Sequence, residues 1–245
     1  GTALLVKLLD ADEALSVQIH PADHDDGLGA DESGKPECWY VVAREPGAGV
    51  YLGLAPGVTR DAMADALAAG DDVSKLLTFV PVEVGDFLAI DAGTAHAIGP
   101  GLTLVEPQRV VPGRRGLTYR YWDWNRRYDR DGRVDAQGAP RALHVREALA
   151  VTRWDAPRGE AFLALARHRA GPADTTAPAS LTNLCGRGGP LTSQHLQVAR
   201  LAGTGTISWP RWDALVALTV LDGAVTLDGA RVAAGQSAVV PASWT

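Results

Sequence analysis

Four side chains of this 245-residue chain have types and spacings that suit a divalent metal ion. In Leu15-Ser-Val-Gln-Ile-His20, apolar Leu15, Val17 and Ile19 alternate with polar Ser16, Gln18 and His20. A strand sends alternate side chains to opposite faces, so the apolar three pack into protein while Gln18 and His20 face the other way, about 7 Å apart. Gln can offer an amide oxygen to a metal and His a ring nitrogen. Lys35-Pro-Glu-Cys-Trp39 adds the carboxylate of Glu37, with Lys35 on the same face if the strand already runs there. Between Gly85 and His96, a Gly turn, a short apolar strand and a second Gly turn deliver the His96 imidazole at a strand start. Gln18, His20, Glu37 and His96 make four N/O ligands, a set suited to zinc or a similar first-row ion. Only one ligand is charged, so the ion keeps net positive charge and acts as a Lewis acid. Each segment alone has a plainer reading. A strand His is more often a structural hydrogen-bonding residue, Gln is rarely a ligand, and Lys-Pro-Glu usually marks a solvated turn. His24, His144, His168 and His195 lack such context and read as structural or surface residues.

These residues need strands to position them. The chain is 46% hydrophobic and 21% charged, a globular composition that excludes disorder. Gly (27) and Pro (15) recur between short apolar runs, the rhythm of an all-β sandwich or barrel. Strands are expected over 4–9, 15–20, 38–42, 50–54, 80–84, 87–90, 102–106 and 117–124. Thr59 can cap a helix over Arg60–Ala69 that Gly70 ends, and 144–151 is a second short helix. Residues 128–142 read as a charged loop. Asp129, Asp131 and Gly132 hint at a calcium loop but lack its spacing and closing Glu, so a solvated turn is expected. Residues 171–179 form a second loop. Residues 85–94 echo residues 235–244, a Gly turn followed by an apolar strand and a small-residue turn, which suggests two copies of one β unit. The net charge of −6 argues against nucleic acid as the main partner, and no apolar run approaches the ~20 residues of a membrane helix. Cys38 and Cys185 are too few for a disulfide scaffold and fit a reducing cytoplasm. The chain opens on Gly rather than Met and is expected to lack its natural start. The second β copy is expected to be cut short at Thr245.

The segment from Gly85 to His96 resembles the second motif of the cupin β-barrels, with Asp91 where many cupins have Pro. Four segments in order resemble the type I mannose-6-phosphate isomerases: Leu15-Ser-Val-Gln-Ile-His-Pro21, Gly34-Lys-Pro-Glu-Cys-Trp-Tyr40, Ala92-Gly-Thr-Ala-His-Ala-Ile-Gly-Pro-Gly101 and Thr118-Tyr-Arg-Tyr-Trp-Asp-Trp-Asn-Arg126. The resemblance runs from about Leu4 to Leu149; beyond residue 160 only a vaguer cupin-like pattern remains. It implies a mainly β fold of two cupin-type jelly-roll barrels with a small helical insertion. Residues 1–150 would form the metal-binding domain and 151–245 a second domain without metal. It implies zinc on Gln18, His20, Glu37 and His96, an active-site arginine at Arg120, and Lys35 and Glu106 lining the sugar site. Ser16 and Arg126 would contact the substrate phosphate.

The implied reaction interconverts mannose 6-phosphate and fructose 6-phosphate in a cytoplasmic monomer with no nucleic-acid or membrane partner. Moving a proton between C1 and C2 needs a base, and the enediol oxygen needs a positive partner. Arg120 and the metal can be that partner. Glu106, Lys35 and a metal-bound water are candidate bases. Arg120 is expected to point into the barrel and to meet Glu106 or Glu37 in the empty protein. The basic stretch 107–116, with Arg109, Arg114 and Arg115, is expected to form a loop over the pocket. It looks a few residues longer than the family's usual connection, and the family's N-terminal segment is absent before residue 4. A metal cupin acting on another sugar and a non-catalytic sugar-binding cupin remain alternatives.

Overall fold

The computed structural model describes residues 3–210 and 212–242. The chain divides into two compact units, one of residues up to 172 with 182–200, the other of 173–181 with residues from 201 on. Ten strands of the first unit form two sheets: β1 (Ala3–Ala11), β2 (Val17–Ile19), β3 (Glu37–Arg44), β4 (Gly49–Leu54), β5 (Leu77–Pro81), β6 (Asp86–Ile90), β7 (His96–Ile98), β8 (Leu102–Val110), β9 (Tyr119–Trp122) and β10 (Arg167–Arg169). One sheet has the order β1-β8-β3-β6-β10 and the other β9-β2-β7-β4-β5, with antiparallel neighbours throughout. Neither sheet closes on itself.

Alternation along the strands builds the core. Trp39 and Val41 of β3, Leu88 and Ile90 of β6, and Leu102 and Leu104 of β8 meet Val50 and Leu52 of β4 and Ile98 of β7 in one buried cluster drawn from both sheets. The same faces turn polar at one end. Glu106 and Gln108 continue the Leu102–Leu104 face of β8, Glu37 the Trp39 face of β3, and His96 the Ile98 face of β7. Apolar burial at one end therefore holds the strands while the other end gathers ionisable groups. Val17 and Ile19 lie in a second cluster with Met63 of α1 (Arg60–Ala69) and Ala148 and Leu149 of α2 (Val145–Val151). Both helices form where expected. The Thr59 side chain accepts from the Ala62 N–H at 3.2 Å, and the Gly70 N–H closes the other end of α1 on Ala66 and Leu67 carbonyls.

Gly85 precedes β6 with φ 89°, and a Cβ there would lie 1.8 Å from the Gly171 carbonyl oxygen. Conformation and space both demand glycine. Gly235, its counterpart in the repeat, has φ 79° before the strand Ser237–Val240. The end of that repeat, Ser243 and Trp244, lies outside the described residues. In the second unit, Val216–Thr219 pairs with Ser237–Val240 and Ala224–Leu227 with Ala230–Ala233. These are two two-stranded ladders, the latter turned by Asp228 and Gly229, both at positive φ.

Several expectations are corrected. The 80–84 strand lies earlier, as β5. The 117–124 strand is shorter, because its pairing with β2 shifts between Arg120 and Trp122 and because Trp124 and Asn125 have positive φ. That bulge ends the alternation, so Tyr121 and Trp122 are both buried and Arg120, Trp122 and Trp124 do not share a face as a plain strand would have it. Helix α3 (Gly159–Ala166) and β10 were not foreseen. The helix is apolar on most sides and β10 has only three residues, so neither has a clear period.

Candidate active site

Three expected metal ligands meet at the polar end of the first unit. His20, Glu37 and His96 offer ligand atoms that all lie within 4.8 Å of one another. Among the described residues this is the one group of three or more His, Cys, Asp or Glu so placed. His20 Nε2 is 3.3 Å from Glu37 Oε2, and His96 Nε2 is 3.5 Å from Glu37 Oε1. All three residues are buried. His20 Nδ1 lies 3.1 Å from the Leu117 carbonyl and His96 Nδ1 lies 2.8 Å from the Thr94 carbonyl. Donation by each Nδ1 leaves each Nε2 a lone-pair donor aimed at the carboxylate, the orientation that outer hydrogen bonds give metal-binding histidines. Both Nε2 atoms and both Glu37 oxygens are buried without a hydrogen-bond partner. Four converging buried acceptors with no donor among them are costly unless a cation sits between them, so the residues fit a metal ion.

The electrostatics agree. Burial, with His20 close by, pushes the His96 pKa down to about 3, and burial also lowers that of His20. Both rings are thus neutral and able to ligate at physiological pH. Burial opposes the charge of Glu37, and protonated histidines and Lys35 draw its carboxyl below the ordinary range; with both rings neutral, Lys35 is the neighbouring cation that favours its ionised form. Gln18 stands directly opposite His96 across the β2–β7 pair, on the His20 side of its strand.

Lys35 Nζ lies 3.5 Å from Glu37 Oε2, although the strand begins only at Glu37 and Lys35 precedes it. Glu106 is buried on β8 and is ion-paired with Lys7, its register partner on β1. Lys7 also donates to Gln108 Oε1 at 2.8 Å. Burial and the charge of Glu37 raise the Glu106 pKa against the pull of Lys7. Lys7 and Gln108 were missed, although Lys7 shares a strand face with Leu9 and Ala11, a usable sign for Lys7.

Ser16, Gln18, Arg120 and Arg126 line a cleft of about 340 Å³, together with Arg141, which was not foreseen. Arg120 stands opposite Gln18 across the β9–β2 pair. Its Nε donates to Ser16 Oγ at 3.2 Å and its Nη1 to the Ala142 carbonyl at 3.1 Å. The expectation that it meets Glu106 or Glu37 is therefore wrong: those carboxylates are engaged by Lys7 and by Lys35 and the histidines, one sheet away. Arg126 pairs with Asp123 at 2.5 Å and Glu13 at 3.1 Å. The 107–116 stretch is not one loop. Its first half continues β8, where Arg109 is buried, ion-paired with Asp23 and 3.1 Å from His195 Nδ1. Arg115 pairs with Glu32, and Arg114 is exposed.

A mainly β fold of two antiparallel sheets, with a buried His-Glu-His set at one end of its core, is thus the class that sheets and site define. No family model matches the chain. It is similar to the mannose-6-phosphate isomerase of Streptococcus mutans serotype c (strain ATCC 700610 / UA159), 38% identical over 148 residues, 60% of this chain and 43% of that protein. It is also similar to the mannose-6-phosphate isomerase ManA of Bacillus subtilis (strain 168), 36% identical over 153 residues, again 60% and 43%. These relatives bear out the resemblance to mannose-6-phosphate isomerases, while the chain spans less than half of their length. Among solved structures, the mannose 6-phosphate isomerase from Bacillus subtilis matches with TM-score 0.70 at 22% identity, covering 98% of this chain and 70% of that one. A mutant phosphomannose isomerase from Salmonella typhimurium matches with TM-score 0.57 at 13% identity, over 99% and 75%. At these identities the structures speak to the fold. Among the described residues no helix is long and apolar enough to cross a membrane.

Proposed function

We propose that the protein is a metal-dependent aldose–ketose isomerase that interconverts mannose 6-phosphate and fructose 6-phosphate. The observation that carries this is the buried His20–Glu37–His96 set with its unpartnered Nε2 and carboxylate atoms, one strand pair away from an arginine-lined cleft. Gln18 is the fourth ligand and zinc the ion; when bound, it polarises oxygen as a Lewis acid. Arg120 sits across from Gln18 and stabilises the enediolate oxygen, remaining charged at any working pH. Glu106 moves the proton between C1 and C2. Its raised pKa brings a carboxylate toward the range of an effective base, and Lys35 balances the neighbouring Glu37 charge. Ser16 and Arg126 take the phosphate.

The same reading takes residues 1–150 as the metal-binding cupin domain, against which α3, β10 and residues 182–200 pack, and the rest of 151–245 as part of a second cupin barrel. Its support is that every ligand lies before residue 100 and that the Gly85 turn recurs at Gly235. It takes the protein as a cytoplasmic monomer, with the two free, buried cysteines fitting a reducing compartment.

A coupled assay on mannose 6-phosphate, with and without chelator, tests this. Turnover should vanish on chelation and return with zinc. Turnover that survives complete metal removal would refute the metal role. Equal activity on free mannose would favour another sugar, and bound zinc without turnover would favour a sugar-binding protein.

A further inference from the structure

We propose that Arg141, carried by the arm of residues 127–142, is a phosphate-binding residue of the cleft, selecting the phosphorylated sugar over the free one. The identity of the sugar rests on the isomerase reading; the anion site rests on the geometry alone. The arm is the charged segment that its composition marks as a mere solvated turn. It is braced at its base, where Arg127–Tyr128 pairs antiparallel with Ala139–Pro140. Asp129 Oδ1 accepts from the Asp131 and Arg133 N–H groups at 2.9 Å, so that carboxylate shapes the turn. The residue that follows the brace is Arg141, and it lines the cleft beside Arg120 and Arg126.

Its guanidinium is held in place from behind. Arg141 Nε donates to Asp123 Oδ2 at 2.7 Å and Nη2 to Tyr128 Oη at 2.6 Å, and the guanidinium lies 4.5 Å from the centre of the Tyr128 ring. Asp123, itself 4% exposed, gives its other oxygen to Arg126 Nη2 at 2.5 Å. One buried carboxylate thus orients two guanidiniums and can neutralise only one. Arg120 adds a third whose partners, Ser16 Oγ and the Ala142 carbonyl, are neutral. Glu13 is the remaining carboxylate on the cleft wall, and it is exposed. Three guanidiniums thus line one cleft; the isomerase reading turns Arg120 to the sugar, and Arg126 and Arg141 remain side by side on Asp123. Arg141 Nη1 donates to no described residue. A phosphate monoester, carrying about −1.5 to −2 charge with three acceptor oxygens, can accept from Arg141 Nη1 and from Arg126 together. A purely structural knot of Arg141, Asp123 and Tyr128 would need no second and third arginine at its open side.

Calorimetric titration of the zinc-loaded protein with mannose 6-phosphate, free mannose and inorganic phosphate tests the assignment. Arg141→Ala should weaken mannose 6-phosphate and inorganic phosphate by about tenfold to a hundredfold, the scale of losing a hydrogen bond to a charged group. Its affinity for free mannose should stay unchanged. Arg141→Lys, which keeps the charge and its place on the arm but not the fork, should fall in between; it decides the matter if the alanine variant does not fold. Phosphate affinity within twofold of the parent in both variants overturns the proposal, as does a parent protein that binds neither phosphate compound. A parent that binds phosphate through Arg141 but isomerises no sugar phosphate upholds the site and overturns the isomerase reading instead.

Discussion

Acid should destabilise the metal-free protein through its metal-site histidines, well before most carboxylates titrate. His96 is fully buried, and its pKa falls from 6.5 to about 3, chiefly through burial and then through neighbouring His20. Between those two values the unfolded chain binds a proton that the folded chain refuses. Stability therefore falls as the pH falls from 6.5 toward 3. Each pH unit of that window is worth about 1.4 kcal/mol, so His96 alone removes roughly 2 kcal/mol between pH 6.5 and 5 and roughly 5 kcal/mol over the whole window. His20 adds to the slope in the same direction, since its pKa is lowered by the same burial. Against a typical stability of about 5–15 kcal/mol these losses are large. Equilibrium urea unfolding with chelator at pH 6.5, 6.0, 5.5 and 5.0 reads the slope directly. His96→Gln removes one titrating ring and should flatten it by about 1.4 kcal/mol per pH unit. Zinc-loaded protein should hold its stability further into acid, because the ion occupies the nitrogens that the protons need. Identical slopes for parent and variant would refute the reasoning, and so would stability that rises on acidification.

Arg120→Ala should lower turnover of mannose 6-phosphate by about a hundredfold or more, the scale of losing one oxyanion partner, with zinc content unchanged. Near-normal turnover in that variant would remove Arg120 from the chemistry. Tyr121 is fully buried and donates to the Ala148 carbonyl at 3.0 Å, and burial pushes its pKa to about 12. Its contribution is fully present below pH 10 and is lost as the pH rises from 10 through 12. Tyr121→Phe should cost about 1 kcal/mol at pH 8 and show a flatter alkaline decline; parallel declines for the two proteins would contradict this.

Much of the first unit is legible in the sequence because its signals are local. Leu15, Val17 and Ile19 against Ser16, Gln18 and His20 need only the strand's twofold period to be sorted onto two faces, and Val17 and Ile19 do enter the core beneath α1 and α2. Thr59 and Gly70 bound α1 through bonds within one turn of their own positions. Gly85 reads as a turn because no residue with a Cβ fits there. The failures have equally local causes. The bulge after Arg120 breaks the period that the strand prediction extends to Trp124, and α3 offers no polar face to reveal a helical one.

By itself, then, the sequence determined which residues alternate, where the helices start and stop, and which side chains could ligate a metal. Each of these depends on neighbours a few positions away. Only the tertiary structure decided who meets whom. Lys7 finds Glu106 across 99 positions because β1 and β8 pair in one particular register. Arg120 faces Ser16 and Gln18 rather than Glu106 because it belongs to the other sheet. Asp123 gathers Arg126 from its own turn and Arg141 from the far end of an arm whose composition is that of a plain solvated loop. A carboxylate's partners are chosen by distance and by burial, and neither is written in the spacing of residues along the chain.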